Sequence, residues 1–150
     1  MLTIQVDDAA FRAYLQQLQG RMTDLTPVMQ SIGQELETRI SGRFETESDP
    51  NGTPWAPWAP STLESYPDNG NRRILDRYSD LMNSLNWAAD ASSVRVGFGQ
   101  PYATYHEWGT RHMPRRGLLF DDPDAGTLAQ GDEQAVLDLL MGWLDVTDSR

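Results

Sequence analysis

Between residues 46 and 78 the chain carries five prolines, Pro50, Pro54, Pro57, Pro60 and Pro67, and two glycines, Gly52 and Gly70. Proline lacks the amide that a helix or a sheet ladder uses and fixes its own φ. No helical or strand period survives among these residues, so the stretch reads as a long extended loop. A loop of this length inside a compact domain is uncommon and is usually functional or disordered. It also carries Trp55 and Trp58, which argues against a plain solvated linker. Tryptophans spaced by prolines on an exposed loop prefer a partner surface. The alternative is that they fold back on the core.

The loop divides two patterned regions. Before it, Leu2–Val6 alternates as a half-buried strand does. Phe11, Tyr14, Leu15 and Leu18 recur at helical spacing up to Gly20. Thr26-Pro27 reads as the N-cap and first position of a second helix. Val28, Ile32, Leu36, Ile40 and Phe44 form its apolar ridge as far as Glu45. Gly33 and Gly42 weaken this helix, which suggests close packing there. After the loop come a helical turn at Ser79–Met82 and a hairpin of Ser84–Ala88 with Ser93–Phe98. A short helix, Tyr102–Trp108, stops at Gly109, and Leu118–Phe120 reads as a further strand. A C-terminal helix opens at Asp132, with Val136, Leu139, Leu140, Trp143 and Leu144 on one face. The expected fold is α+β: a small, mostly antiparallel sheet on which helices Thr26–Glu45 and Asp132–Asp145 pack. Residues 1–145 form a single domain with its loop at 46–78, and 146–150 are a loose tail.

At 150 residues the chain is long enough to bury one core. It has no cysteine, which excludes disulfides and thiolate chemistry. No run approaches a membrane span, and the N-terminus lacks a signal-peptide pattern, so the chain is expected to stay in the cytoplasm where it is made. The formal net charge is −10, and all twelve basic residues are arginine. Such a chain is repelled by nucleic acid at long range. DNA binding would need a local patch, Arg72-Arg73 or Arg111 with Arg115-Arg116. Arginine without lysine fits interface use, because guanidinium pairs carboxylates bidentately; drift in genome base composition fits it equally.

Residues 102–120 concentrate the polar chemistry, including both histidines. His106, Glu107 and His112 do not have the His-Glu-x-x-His spacing that places two ligands on one helix face. Gly109 and Pro114 interrupt any shared helix. No metal or cofactor site is expected. Glu47–Gly52 lacks the glutamate that a calcium loop needs, since Trp58 stands in its place. No Gly-x-Ser-x-Gly elbow or phosphate loop occurs, and no catalytic residue is expected. Tyr102, His106, Trp108 and Gly109 read as a packed structural corner. Arg115-Arg116 read either as a clamp for phosphate or a partner carboxylate, or as two solvated arginines.

Two segments together carry a resemblance. The first runs from Phe44-Glu45 through Asp49-Pro50-Asn51-Gly52-Thr53-Pro54-Trp55 to Pro60-Ser61-Thr62-Leu63, followed by Ile74-Leu75 and Leu81-Met82-Asn83-Ser84-Leu85. The second is Val94-Arg95-Val96-Gly97, then Tyr102-Ala103, His106, Gly109 and Met113-Pro114-Arg115-Arg116. In order and spacing they resemble the virion morphogenesis and tail completion proteins of long-tailed phages, including Mu-like phages. The likeness covers about Ile32 to Phe120. Arg115 stands where a small residue is more usual, Ser79 stands where a glycine often precedes the Leu-x-x-Ser segment, and lysines common in the loop are missing.

The resemblance implies a non-enzymatic structural protein of the virion at the head–tail junction, acting in tail completion, tail termination and head–tail joining. Its implied partners are further copies of itself in a closed ring, expected to be a hexamer, together with tail-tube and neck or connector proteins. DNA would at most pass through the lumen; no membrane, cofactor or small-molecule substrate is implied. The residues expected at subunit or partner contacts are Trp55, Trp58, Arg72, Arg73, Met113, Arg115 and Arg116. The alternatives are a connector or stopper subunit on the capsid side, a nucleic-acid-binding protein using the arginine patches, and a hydrolase using His106 and Glu107.

Overall fold

A computed structural model describes residues 2–5, 9–65, 74–75, 79–91 and 93–148. The fold is α+β. Strand β1 (Leu2–Gln5) leads into helix α1 (Ala9–Gln19) and the long helix α2 (Thr26–Thr46). Short helices α3 (Pro60–Ser65) and α4 (Asp80–Asn83) precede strands β2 (Leu85–Ala89) and β3 (Val94–Phe98). Helices α5 (Ala103–Trp108) and α6 (Gln130–Asp148) complete the chain.

The sheet is antiparallel with β3 in the middle, in the order β1-β3-β2. Leu2 and Leu85 both pair with Phe98, and Trp87 pairs with Val96. Alternation along β3 leaves Arg95 exposed and buries Val94, Val96 and Phe98, as a two-residue side-chain period requires. The ridge of α2 covers this surface. Val28, Met29, Ile32, Leu36, Ile40 and Phe44 are at most 1% exposed, and each such burial contributes about 1.5–3 kcal/mol. Phe44 meets Phe98 and Trp55 edge to face, with ring centroids 6.1 and 5.6 Å away.

Gly33 explains how close α2 can come to the sheet. A Cβ at this position would lie 2.6 Å from Cε3 of Trp87. Gly42 plays no such part, since its added Cβ would meet nothing within 4 Å. The start of α2 also differs from expectation. The N-cap is Leu25, without a side-chain cap bond, and Thr26 is already inside the helix; Asp24 Oδ1 accepts from the Thr26 amide at 2.9 Å and from the Thr26 hydroxyl at 2.6 Å just ahead of it. These bonds hold the Asp24 carboxyl below the usual carboxylate range.

Four further expectations are corrected. Residues 46–78 contain a helix, α3, whose first residue is Pro60, a position where the missing amide costs nothing. Helix α6 continues through residues 146–148 instead of fraying at Asp145. It lies chiefly on α1 and α2, not on the sheet, so the layers run from helix pair to α2 to sheet. Leu118–Phe120 is not a strand: its amides bond a buried carboxylate rather than a neighbouring strand. Among the described residues no helix is long and apolar enough to cross a membrane.

Candidate functional site

The centre of the 102–120 region is Glu107, the one acid in α5 and fully buried. Its Oε1 accepts from the amides of Leu119 and Phe120, both at 2.8 Å, and its Oε2 from the amide of Leu118 at 2.9 Å. Arg115 supplies charge balance, with Nη2 at 3.4 Å from Oε2. The same guanidinium donates through Nε to the Glu107 carbonyl at 2.7 Å and through Nη2 to the Phe120 carbonyl at 2.8 Å. A buried carboxylate is tolerated only when donors saturate it, and this one has four. The apolar run 117–120 is thereby held as a bent strap without a sheet partner.

Glycines give the strap its room. Gly109 ends α5 at φ +76°, and a Cβ there would lie 2.9 Å from the Arg115 amide. A Cβ on Gly117 would lie 2.9 Å from Nη2 of Arg115.

The proline-rich loop is tied to the strap by its own side chains. Trp55 is 5% exposed and donates its indole N–H to the Gly117 carbonyl at 2.9 Å. Arg116 donates through Nε to Ala56 O and through Nη2 to Pro57 O, both at 2.9 Å, while its amide bonds the His106 carbonyl. The loop begins at a turn in which Asp49 Oδ1 caps the amides of Asn51 and Thr53. Glu47 receives the Trp55 amide on its carbonyl and the Ile74 amide on Oε1. Beneath the strap, Arg43 on α2 bonds the Leu118 carbonyl and the buried Asp132 of α6, and Arg39 adds a 2.8 Å bond to Asp132.

A cavity of about 380 Å³ opens beside this corner, lined in part by Trp58, Leu75, Tyr102, His106, Met113 and Arg116. Tyr102 and His106 meet edge to face at 6.1 Å. Nδ1 of His106 is buried with no hydrogen-bond partner among the described residues. Burial, and next the Arg116 guanidinium, push the His106 pKa down to about 4, so its ring is neutral near pH 7. Burial and the Asp80 charge raise the Tyr102 phenol above its ordinary value.

The structure thus brings Trp58, Met113, Arg116, Tyr102 and His106 to one cavity. Trp55 instead enters the core, and Arg115 is bound to Glu107 and the strap. Trp108 lies over Phe120 at 6.4 Å between ring centroids and donates to Asp124. Arg72 and Arg73 lie outside the described residues. Among the described residues no cluster of three or more histidines and carboxylates is placed to hold a metal. Sequence reasoning missed the structural parts of Glu107, Arg43 and Asp132. The available signal for Arg43 was a charge placed one turn beyond Ile40 on the buried side of α2.

The outer side of α5 is different. Tyr102, Tyr105 and Trp108, three residues apart, are all exposed and form one ridge along the helix. Arg111 and His112 follow in an exposed turn closed by the Thr110–Met113 bridge.

The sequence pattern of the phage virion morphogenesis family covers residues 6–145. No significant match was found among curated proteins or among solved structures.

Proposed function

The chain belongs to the phage virion morphogenesis family, and on that premise we propose that it is a structural subunit that completes the phage tail and joins it to the filled head. In this reading it works as a closed ring at the head–tail junction and carries out no catalysis. Family membership supports the morphogenetic role itself; the junction, the ring and its partners are our inference.

One observation carries the reading furthest: the charged groups of the corner are invested in holding backbone. Glu107 has both oxygens bonded to donors, and Arg115 and Arg116 donate to carbonyls of their own chain. What this rigid corner offers outward is the aromatic ridge of α5 and the cavity edge at Trp58 and Met113. Exposed tyrosine and tryptophan on a rigid support suit protein contact. The net charge of −10 weighs against nucleic acid as the primary partner.

Particles assembled without this protein test the reading. Filled heads and complete tails accumulating unjoined is the expected outcome. Tails of abnormal length would place its action at termination, and heads that lose DNA would shift it to the capsid side as a stopper. Joined particles of normal form and infectivity would overturn the proposal.

A further inference from the structure

The chain contains two Asn-Gly pairs, Asn51-Gly52 and Asn69-Gly70. The second lies outside the described residues. Glycine has no Cβ, so its amide nitrogen reaches the preceding carboxamide carbon with little hindrance. The reaction that follows needs only water. The Gly52 nitrogen gives up its proton and bonds to Cγ of Asn51, and Nδ2 leaves as ammonia. Water then opens the cyclic imide at either carbonyl. The product is aspartate, or isoaspartate with the chain running through Cβ.

The structure shows what holds this chemistry back. Sterics do not: Asn51 and Gly52 are exposed, and a Cβ added to Gly52 would meet nothing within 4 Å. Hydrogen bonds do. The Gly52 amide donates to the Asp49 carbonyl at 2.9 Å. The Asn51 carboxamide donates through Nδ2 to Asp121 Oδ1 at 2.7 Å, 70 residues later in the chain. Attack requires the two reacting atoms to be brought together, so the amide must leave Asp49 and the carboxamide must turn away from Asp121. Asp121 directly follows Phe120 of the strap, and its amide donates to the Thr127 carbonyl. Among the described residues its side chain bonds nothing but Asn51.

We propose that Asn51 is a site of spontaneous deamidation that the Asn51–Asp121 bond restrains, and that the reaction breaks this bond irreversibly. A carboxylate then faces the Asp121 carboxylate where a donor stood, and like charges repel. In the isoaspartate form an added backbone carbon also draws the Gly52 amide away from the Asp49 carbonyl. The start of the proline-rich loop, just ahead of Trp55, is thereby released from the turn that follows the strap.

Peptide mapping by mass spectrometry tests it on the full chain, kept folded or in urea at mildly alkaline pH. In urea, Asn51 and Asn69 should convert at similar rates. In the folded chain, Asn51 should convert about tenfold more slowly than in urea, or slower still, since two hydrogen bonds must break first. Asp121→Ala, with circular dichroism to verify folding, should speed conversion at Asn51 about threefold or more by removing one of them. Asp121→Asn keeps an acceptor without the charge and should give an intermediate rate. Conversion at Asn69 should be the same in both variants as in the wild type. Ion exchange separates the isoaspartate form, whose Gly52 amide should exchange hydrogen faster. Absence of conversion at Asn51 in urea would remove the site. Equal rates in the folded chain and in urea, or a rate unmoved by both Asp121 variants, would show that the bond is no restraint. Unchanged exchange at Gly52 would contradict the release.

Discussion

Arg43 and Glu107 bind one residue, Leu118, at both of its backbone groups: the guanidinium takes its carbonyl and the carboxylate its amide. Through this residue the long helix α2 is coupled to the corner helix α5, and through Asp132 to the start of α6. The corner is positioned by buried charge rather than by a sheet ladder. Its outer face inherits the rigidity of the core.

Replacing the carboxylate should therefore damage the fold itself. Glu107→Gln keeps the shape but turns one acceptor into a donor facing backbone amides. A loss of about 2–4 kcal/mol is expected, given the cost of an unsatisfied buried group and of charge-assisted bonds. Urea unfolding checks it through a lower midpoint at unchanged slope. An unaltered midpoint would mean that the strap does not depend on this charge.

The buried histidine gives stability a defined pH dependence. Folding lowers the His106 pKa from 6.5 to about 4, so the unfolded chain takes up the proton first. The contribution is complete above about pH 6.5, declines as pH falls and is fully lost near pH 4. The difference in unfolding free energy between wild type and His106→Asn should shrink by this course on acidification. A difference that stays constant from pH 7 to 4 would contradict it.

Two glycines of α2 should respond in opposite directions. Gly33→Ala places a Cβ against the Trp87 ring and should cost about 1–3 kcal/mol by overpacking. Gly42→Ala meets open space and should gain about 0.5–1 kcal/mol from helix propensity. Thermal melts of the two variants, one lower and one higher than wild type, are the expected pair.

Ser79 adopts φ +66° just before α4, at the position where the resembled proteins often carry glycine. A left-handed conformation costs a side-chain-bearing residue about 1–2 kcal/mol. Ser79→Gly should therefore raise the unfolding midpoint, and a lower one would show that the serine's own bonds outweigh the strain.

Much of the fold was legible because it rests on period. The four-residue ridge of α2 and the alternation of β3 follow from side-chain spacing, and the stop at Gly109 from the positive φ that glycine allows. The strap was not legible. Leu118-Leu119-Phe120 is an apolar run that reads as a strand, and its actual partner is a single glutamate eleven residues earlier, whose ligands are backbone amides with no sequence signature. Arg115-Arg116 read as a polar pair of unknown target for the same reason, since most of their acceptors are backbone carbonyls. Helix α3 is hidden in the sequence because the prolines around it read as breakers, although Pro60 opens it. The family resemblance was carried by the loop and the corner together, the two segments that Trp55 and Arg116 join.

The most direct test of the structural reading is a titration. Extracts containing unjoined heads and tails, made without this protein, are supplied with increasing amounts of the purified full chain, and infectious particles are counted. A ring subunit is consumed as it acts, so recovery should rise with added protein and level off only at several copies per tail. Full recovery at far less than one copy per tail would reveal a catalyst, and no recovery at any amount would contradict a role in joining.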